Sequence, residues 1–381
     1  MSIRNKYNFI IIGAGCAGLS LAYKLLNSKY KICILELSNN INKRNKLWSF
    51  WDTYETPFGH LIKKKWDNLI IRNDDESIKI NCNQYKYQSI SSKDFNNYIL
   101  EKISINENID IFFSEEVVHI SKKTNLIELT TKRSTYLCDH IFDSRPSKNN
   151  FFMMQQFYGA YVKSKNDIFD DNSAVFMEFS NLRNKFHFNY ILPFSRNSAL
   201  IESTYFSSKK EYNMLNEDYI NEYMKLNYRN EKYEIEKVEF GSIPMDTSIN
   251  SLANSYITKI GAYSGATRAS TGYTFINIQK QTDRLANLLP NLKSFKNKKY
   301  FHSFILRNMD NIFLKILSRN PSYMKKALMC LFRTKSHNSQ IRFLSDTPSF
   351  IDIIKIIMYL PKVKFLYYSL KCKDKNDKYN R

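Results

Sequence analysis

Glu202 stands in an apolar run, Ala199-Leu200-Ile201-Glu202-Ser203-Thr204-Tyr205-Phe206, that follows a strand-like run from Phe186 to Ser195. The two runs read as a β-hairpin. With a period of two, Leu200, Glu202, Thr204 and Phe206 share one face, which sets the carboxylate among apolar neighbours. An ionised carboxylate is costly there unless it is paired or used in chemistry. Desolvation raises its pKa, and an acid that keeps its proton near neutrality can protonate a hydrocarbon. A solvent-facing Glu on the polar side of an edge strand fits the same spacing. Periodicity does not choose between the two.

Gly13, Gly15 and Gly18 form a second constellation, after the apolar run Tyr7 to Ile12 and before a helical pattern from Leu19 to Leu26. Ile32 to Leu35 is a second buried strand, and it ends in Glu36. In such a βαβ unit the first glycine permits the tight turn and the second lets the backbone approach a pyrophosphate. The third lets the helix pack closely on the strands, with its N-terminus towards the phosphates. An acid at the position of Glu36 can accept hydrogen bonds from the adenosine ribose hydroxyls. A later segment from Gly261 to Phe275 is rich in small residues and precedes a helix. Gly261, Gly265, Thr271 and Gly272 are its candidates for the flavin side of a dinucleotide cofactor, with an ordinary loop of two tight turns as the alternative.

These residues need scaffolds, and the chain of 381 residues is long enough for more than one domain. Leu69 to Phe113 reads as short alternating segments with a helix over Phe95–Ile103. Strands follow at Ile127–Thr131 and Tyr136–Phe142, the latter ending in Asp143-Ser144-Arg145-Pro146. The middle of the chain is rich in β-branched and aromatic residues and reads as a sheet. From Lys298 onward the apolar spacing is helical. The expected architecture is α/β: a Rossmann-type FAD/NAD(P)-binding fold over 1–150 and 252–290, an inserted β-sheet substrate domain over 151–251, and a helical C-terminal region with a basic tail over 291–381.

Composition narrows the function classes. The six cysteines lie far apart, with no spacing suited to a disulfide framework or a metal site, which predicts reduced thiols and a cytoplasmic chain. No histidine spacing suggests a metal or a Ser-His-Asp triad, so no metal is expected. The formal net charge of +21 goes with an excess of Lys and Asn spread over the whole chain, without a nucleic-acid module; no nucleic-acid partner is expected. No stretch is both long and uncharged enough to span a bilayer. From Phe350 the chain begins aliphatic and aromatic and turns basic, which suits an anionic membrane surface or a solvated tail equally.

Several segments in order resemble the FAD-dependent lycopene cyclases of the bacterial type. They are Leu47-Trp48-Ser49-Phe50-Trp51, Asp143-Ser144-Arg145-Pro146, Gln156-Phe157-Tyr158-Gly159, Leu192-Pro193-Phe194-Ser195, Ala199 to Thr204, Glu239-Phe240-Gly241-Ser242-Ile243-Pro244-Met245, and Ser270 to Phe275. The resemblance implies that Glu202 is the essential acid. Plant members carry a second acid where this chain has Ser203, so a mechanism needing both is in question. It further implies conversion of the linear ends of lycopene and other linear carotenes into β-ionone rings without net redox. Reduced FAD would assist, with NAD(P)H as external reductant, in an enzyme peripheral to the membrane. Trp48, Phe50, Trp51, Phe157 and Tyr273 are the expected substrate contacts. The rival expectations are a related flavin oxidoreductase, of the geranylgeranyl reductase or hydroxylase type, and a non-catalytic carotenoid-binding flavoprotein.

Overall fold

A computed structural model of the chain describes residues 3–146, 151–180, 185–208, 216–229, 231–249, 252–254, 256–289 and 301–373. The end of the expected basic tail, beyond residue 373, and the residues just after Lys298 lie outside them. The chain opens with β1 (Ile3–Ile12), α1 (Cys16–Lys24), β2 (Ile32–Leu35), β3 (Leu47–Trp51), β4 (Ile62–Trp66), β5 (Asn68–Arg72), β6 (Ser77–Asn81) and β7 (Tyr87–Ser91). It continues through α2 (Ser92–Ser104), β8 (Ile109–Phe112), β9 (Val117–Lys122), β10 (Ile127–Thr131) and β11 (Thr135–Asp143). Then come β12 (Met153–Ser164), β13 (Ser173–Ser180), β14 (His187–Ser195), β15 (Ser198–Ser207), α3 (Glu217–Asn227), β16 (Tyr233–Met245), β17 (Leu252–Asn254) and β18 (Ile257–Lys259). Helices α4 (Phe275–Leu288), α5 (Phe304–Arg319), α6 (Pro321–Phe332), α7 (His337–Leu344), α8 (Phe350–Tyr359) and α9 (Lys362–Lys373) complete it.

The first sheet runs β17-β18-β11-β1-β2-β8, with β18, β11, β1, β2 and β8 mutually parallel along that path. All four residues of β2 are buried, and so is the end of β1, Phe9 to Ile12. Burial on both faces is what a parallel sheet demands of its central strands, and their unbroken Ile-rich composition supplies it. Helices α1 and α4 pack together, linked by Gln279 Nε2 donating to Ser20 Oγ at 2.9 Å. Strand β18 rejoins this sheet beside β11 after about a hundred intervening residues, so the middle of the chain is an insertion.

The insertion forms a seven-stranded sheet in the order β16-β12-β15-β14-β13-β5-β6, antiparallel except for the β13–β5 pair. Strands β5 and β6 come from the first third of the chain. The sheet therefore draws on both sides of residue 151, a pairing between distant segments that local patterning does not reveal. Strands β3, β7 and β4 make a small third sheet.

Helices α5 to α8 bury Leu314, Leu317, Met324, Leu328, Phe332 and Ile356 in one core with Phe176, Phe186, Leu200 and Phe206 of the large sheet. This helical layer is tied to the loop before α4 by Arg268, fully buried, whose guanidinium meets Asp310 at 3.2 Å and lies over the Phe343 ring at 4.5 Å. Removing one partner of a buried pair leaves the other charged and desolvated. Arg268→Met should therefore cost about 3–5 kcal/mol of stability, measurable as a lowered midpoint in urea denaturation.

Candidate functional site

Strand β1 is followed at once by Gly13, whose φ of +96° lies in the region that favours glycine, and whose Cβ, if present, would stand 2.3 Å from Ser144 Oγ. At Gly18 a Cβ would stand 1.9 Å from the carbonyl oxygen of Gly13, so the helix can approach the turn this closely only without a side chain. Gly15 differs: an added Cβ would meet nothing within 4 Å, and the residue lines a cavity. Helix α1 has no acid in its first turn and no side-chain cap, which leaves its leading N–H groups for an anion. The Glu36 carboxylate is fixed at the end of β2 by N–H donors of Ala14 (2.7 Å) and Ser38 (2.8 Å). Each oxygen retains a further lone pair.

The second glycine turn closes on the first. Gly261 has a φ of +81° and packs on Ala17 of α1, while its N–H donates to Gln281 Oε1 at 2.8 Å. Gly265, φ +87°, faces the backbone of Ile249 and shapes the turn rather than the cavity. Thr271 and Gly272 line the cavity, the latter with φ +73° and no room for a Cβ beside Gln155. Gly15, Cys16 and Ala17 thus face Gly261 and Ala262 across one space, although the two turns are separated by most of the chain.

That space is a cavity of about 1040 Å³. It is at the upper end of the roughly 300–1000 Å³ common for small-molecule sites. From the glycine turns it passes Trp48, Tyr87, Phe157, Tyr190 and Tyr273, reaches Glu202, and continues between Phe313, Met324, Phe332, Ile356 and Phe365 of the helical layer. Apolar side chains dominate its walls.

Glu202 lines this cavity from β15, on the strand face it shares with the buried Leu200 and Phe206. The solvent-facing alternative does not hold. Oε1 accepts from Thr204 Oγ1 at 2.8 Å. Burial pushes the carboxyl up to about 8, the charge of Glu239 adds to the shift, and Thr204 and Lys46 oppose it. Three phenols stand in the same region: Tyr87 and Tyr190 share a hydrogen bond of 2.6 Å, and Tyr273 reaches Tyr87 at 3.4 Å. Burial pushes all three well above the ordinary phenol range, which keeps them neutral donors.

Glu239 is the residue that sequence reading passed over. Gly159 on β12 pairs with Glu202 on one side and with Glu239 of β16 on the other, so both carboxylates stand in one row across three strands. A Cβ on Gly159 would lie 3.4 Å from that of Glu202; glycine leaves the gap open. Glu239 Oε2 accepts from Tyr161 Oη (3.0 Å) and from the Leu47 N–H (3.2 Å). Burial also raises its pKa. Its segment entered the family resemblance, but an acid two residues before Gly241 gives no sign in the sequence of a partner at Glu202, which the strand register supplies.

Of the expected substrate contacts, Trp48, Phe157 and Tyr273 line the cavity. Phe50 and Trp51 do not, and this corrects the expectation. Phe50 stacks on Phe275 at 4.8 Å, and Trp51 lies behind Tyr87 and Tyr273, at 5.0 and 5.1 Å; both are almost fully buried. Asp143 is held by Lys259 (2.7 Å) and Arg145 (2.9 Å) and acts as a clamp between β11 and β18. His187 is enclosed by Ser180 and Ser203, a core histidine that burial keeps neutral. Among the described residues no group of His, Cys, Asp and Glu could hold a metal ion.

A model of the lycopene cyclase protein family matches residues 8–368. No curated protein matches the chain. Among solved structures, a geranylgeranyl bacteriochlorophyll reductase-like protein from Thermoplasma acidophilum superposes with a TM-score of 0.64 at 9% identity, covering 98% of this chain and 100% of its own. A flavin-dependent brominase gives 0.66 at 12% identity, with coverage of 97% and 99%. A halogenase variant in complex with FAD gives 0.60 at 10%, with coverage of 97% and 92%. At such identities the likeness establishes the fold, which is the Rossmann-type FAD/NAD(P)-binding fold.

Proposed function

The chain belongs to the lycopene cyclase family, and from that premise we propose that it is a lycopene β-cyclase working with reduced FAD. The observation that carries the reading is Glu202: a carboxyl poised to hold its proton near neutrality, at the wall of a long apolar cavity that also touches the glycine turns. Gly13, Gly15, Gly18 and Glu36 would hold the adenosine and pyrophosphate half of the cofactor, and Gly261, Thr271 and Gly272 its ring half, with Gly265 shaping the turn. The open space above Gly15 and the uncapped start of α1 fit that group. When bound and reduced by NAD(P)H, FAD supplies a negatively charged ring system that favours a nearby cation.

Glu202 gives its proton to the terminal double bond of the linear carotene, which leaves a tertiary cation. The neighbouring double bond attacks it and closes the six-membered ring. A ring proton then leaves for the Glu202 carboxylate, so the acid is restored and nothing is oxidised or reduced overall. Trp48, Phe157 and Tyr273 surround the apolar chain, and aromatic faces can contribute about 0.5–2 kcal/mol each to a cation they contact. The polyene requires a hydrocarbon-lined route, which the cavity provides, and the protein works at the surface of the membrane that stores its substrate, on the cytoplasmic side. Residues 1–150 and 252–290 serve the cofactor and 151–251 the substrate, with β5 and β6 assisting the latter.

Expression in a host that accumulates lycopene tests the activity directly. Cyclised carotenes should appear, with no NAD(P)H consumed per ring; persistent lycopene beside folded, flavin-bearing protein would refute the cyclase. Stoichiometric NAD(P)H use would instead indicate a reductase or hydroxylase.

Glu239 has a more limited and separable effect. Its negative charge raises the Glu202 pKa, so Glu239→Gln should move the alkaline limb of the pH–rate profile to lower pH. Below that limb the variant should keep most of its rate. An unmoved limb would show that the two acids do not communicate.

A further inference from the structure

Helix α8 has an outer face unlike that of a helix in contact with water. Its exposed residues are Phe350 (69%), Ile351, Ile354, Ile357 and Met358, with Lys355 the one charge among them. Its acid, Asp352, is buried against Arg342 and caps the helix through Ser349. After Leu360-Pro361, helix α9 exposes Val363 (81%), Leu366, Tyr367 and Leu370 beside Lys362. Consecutive helices that both turn apolar side chains outward mark a contact surface. The cavity meets this surface. Ile357, Met358 and Leu366 line the cavity wall and are also exposed, so the apolar passage that starts near Glu202 ends here.

We infer that the α8–α9 face inserts into the headgroup region of an anionic lipid bilayer and that the cavity opens there. The hydrocarbon substrate then moves from acyl chains to Glu202 without crossing water. Charge selects this occupant over a second copy of the chain. Neither helix exposes an acid among its described residues, lysines flank the apolar side chains, and the chain carries a formal charge of +21. Two such faces would repel, whereas anionic headgroups attract them. Amphipathic helices bind bilayers by burying their apolar side about 5–10 Å deep while lysine stems reach back to the headgroups. No described helix is long and apolar enough to cross a membrane, which fits a surface mode of attachment. This assignment rests on the cyclase reading only for the identity of the hydrocarbon.

The test uses full-length, FAD-loaded protein and flotation with vesicles of phosphatidylcholine alone or mixed with phosphatidylglycerol. Wild type should float with the mixed vesicles, less with the neutral ones, and less at high salt. The double variant Ile351→Glu/Val363→Glu alters exposed side chains that do not line the cavity, so its flavin content should match wild type. Its vesicle binding should fall about tenfold or more. Its turnover of vesicle-borne lycopene should fall in step, while turnover of detergent-dispersed lycopene stays at the wild-type rate. Undiminished vesicle binding by the variant, or none by wild type, would overturn the assignment. So would a wild-type dimer that the variant dissociates, because the face would then belong to a second copy. Vesicle binding by wild type with no cyclised product under either delivery would keep the docking face and refute the cyclase.

Discussion

Glu202→Gln should reduce cyclisation by about 10²- to 10⁴-fold, the usual contribution of a positioned proton donor, while flavin content and thermal stability stay near wild type. Gln preserves the shape of the side chain and can still meet Thr204, but it has no proton to give to a carbon–carbon double bond. Wild-type turnover should itself fall as pH rises through about 8, where Glu202 loses its proton. The same group gives stability a matching sign. Its folded pKa lies above the unfolded value, so the folded state binds the extra proton between the two, and stability contributed at low pH declines as pH rises towards 8. Retention of full activity by Glu202→Gln in a lycopene-accumulating host would remove the residue from the chemistry.

Gly18→Val should weaken FAD binding by about 10- to 100-fold and leave the purified protein largely colourless. The 1.9 Å approach of an added Cβ to the Gly13 oxygen involves backbone on both sides, so no side chain can rotate away. Relief requires α1 to move off the strands, a cost of about 1–3 kcal/mol in comparable overpacked sites. The movement also withdraws the helix N-terminus from the phosphates. Fluorescence titration of the apoprotein with FAD measures the loss; wild-type affinity in a folded variant would show that the turn does not hold the cofactor.

Much of this site was legible before the fold was seen, because local rules govern its parts. Six of the nine glycines, at 13, 15, 18, 261, 265 and 272, belong to the two turns, and four of these six have positive φ. The hairpin carrying Glu202 follows from its period of two and forms as β14 and β15. What escaped depends on partners distant in sequence. Glu239 became visible only when β12 placed Gly159 between it and Glu202. In Leu47–Trp51 the three aromatic positions, Trp48, Phe50 and Trp51, could not be ranked, and packing against Phe275 and Tyr87 draws Phe50 and Trp51 away from the cavity. Helical spacing after Lys298 gave the elements but not their task, since the faces that wall the cavity look like any buried helix stripe.

The Arg268–Asp310 tie has a consequence for synthesis. The turn at Gly13 is made well before the residues that secure the loop opposite it, such as Asp310 and Phe343, which follow much later in the chain. Growing chains expose the nucleotide turn long before its opposing wall exists. Stable flavin capture therefore waits until that later segment has been made and folded, and chains truncated before residue 310 should emerge without their chromophore.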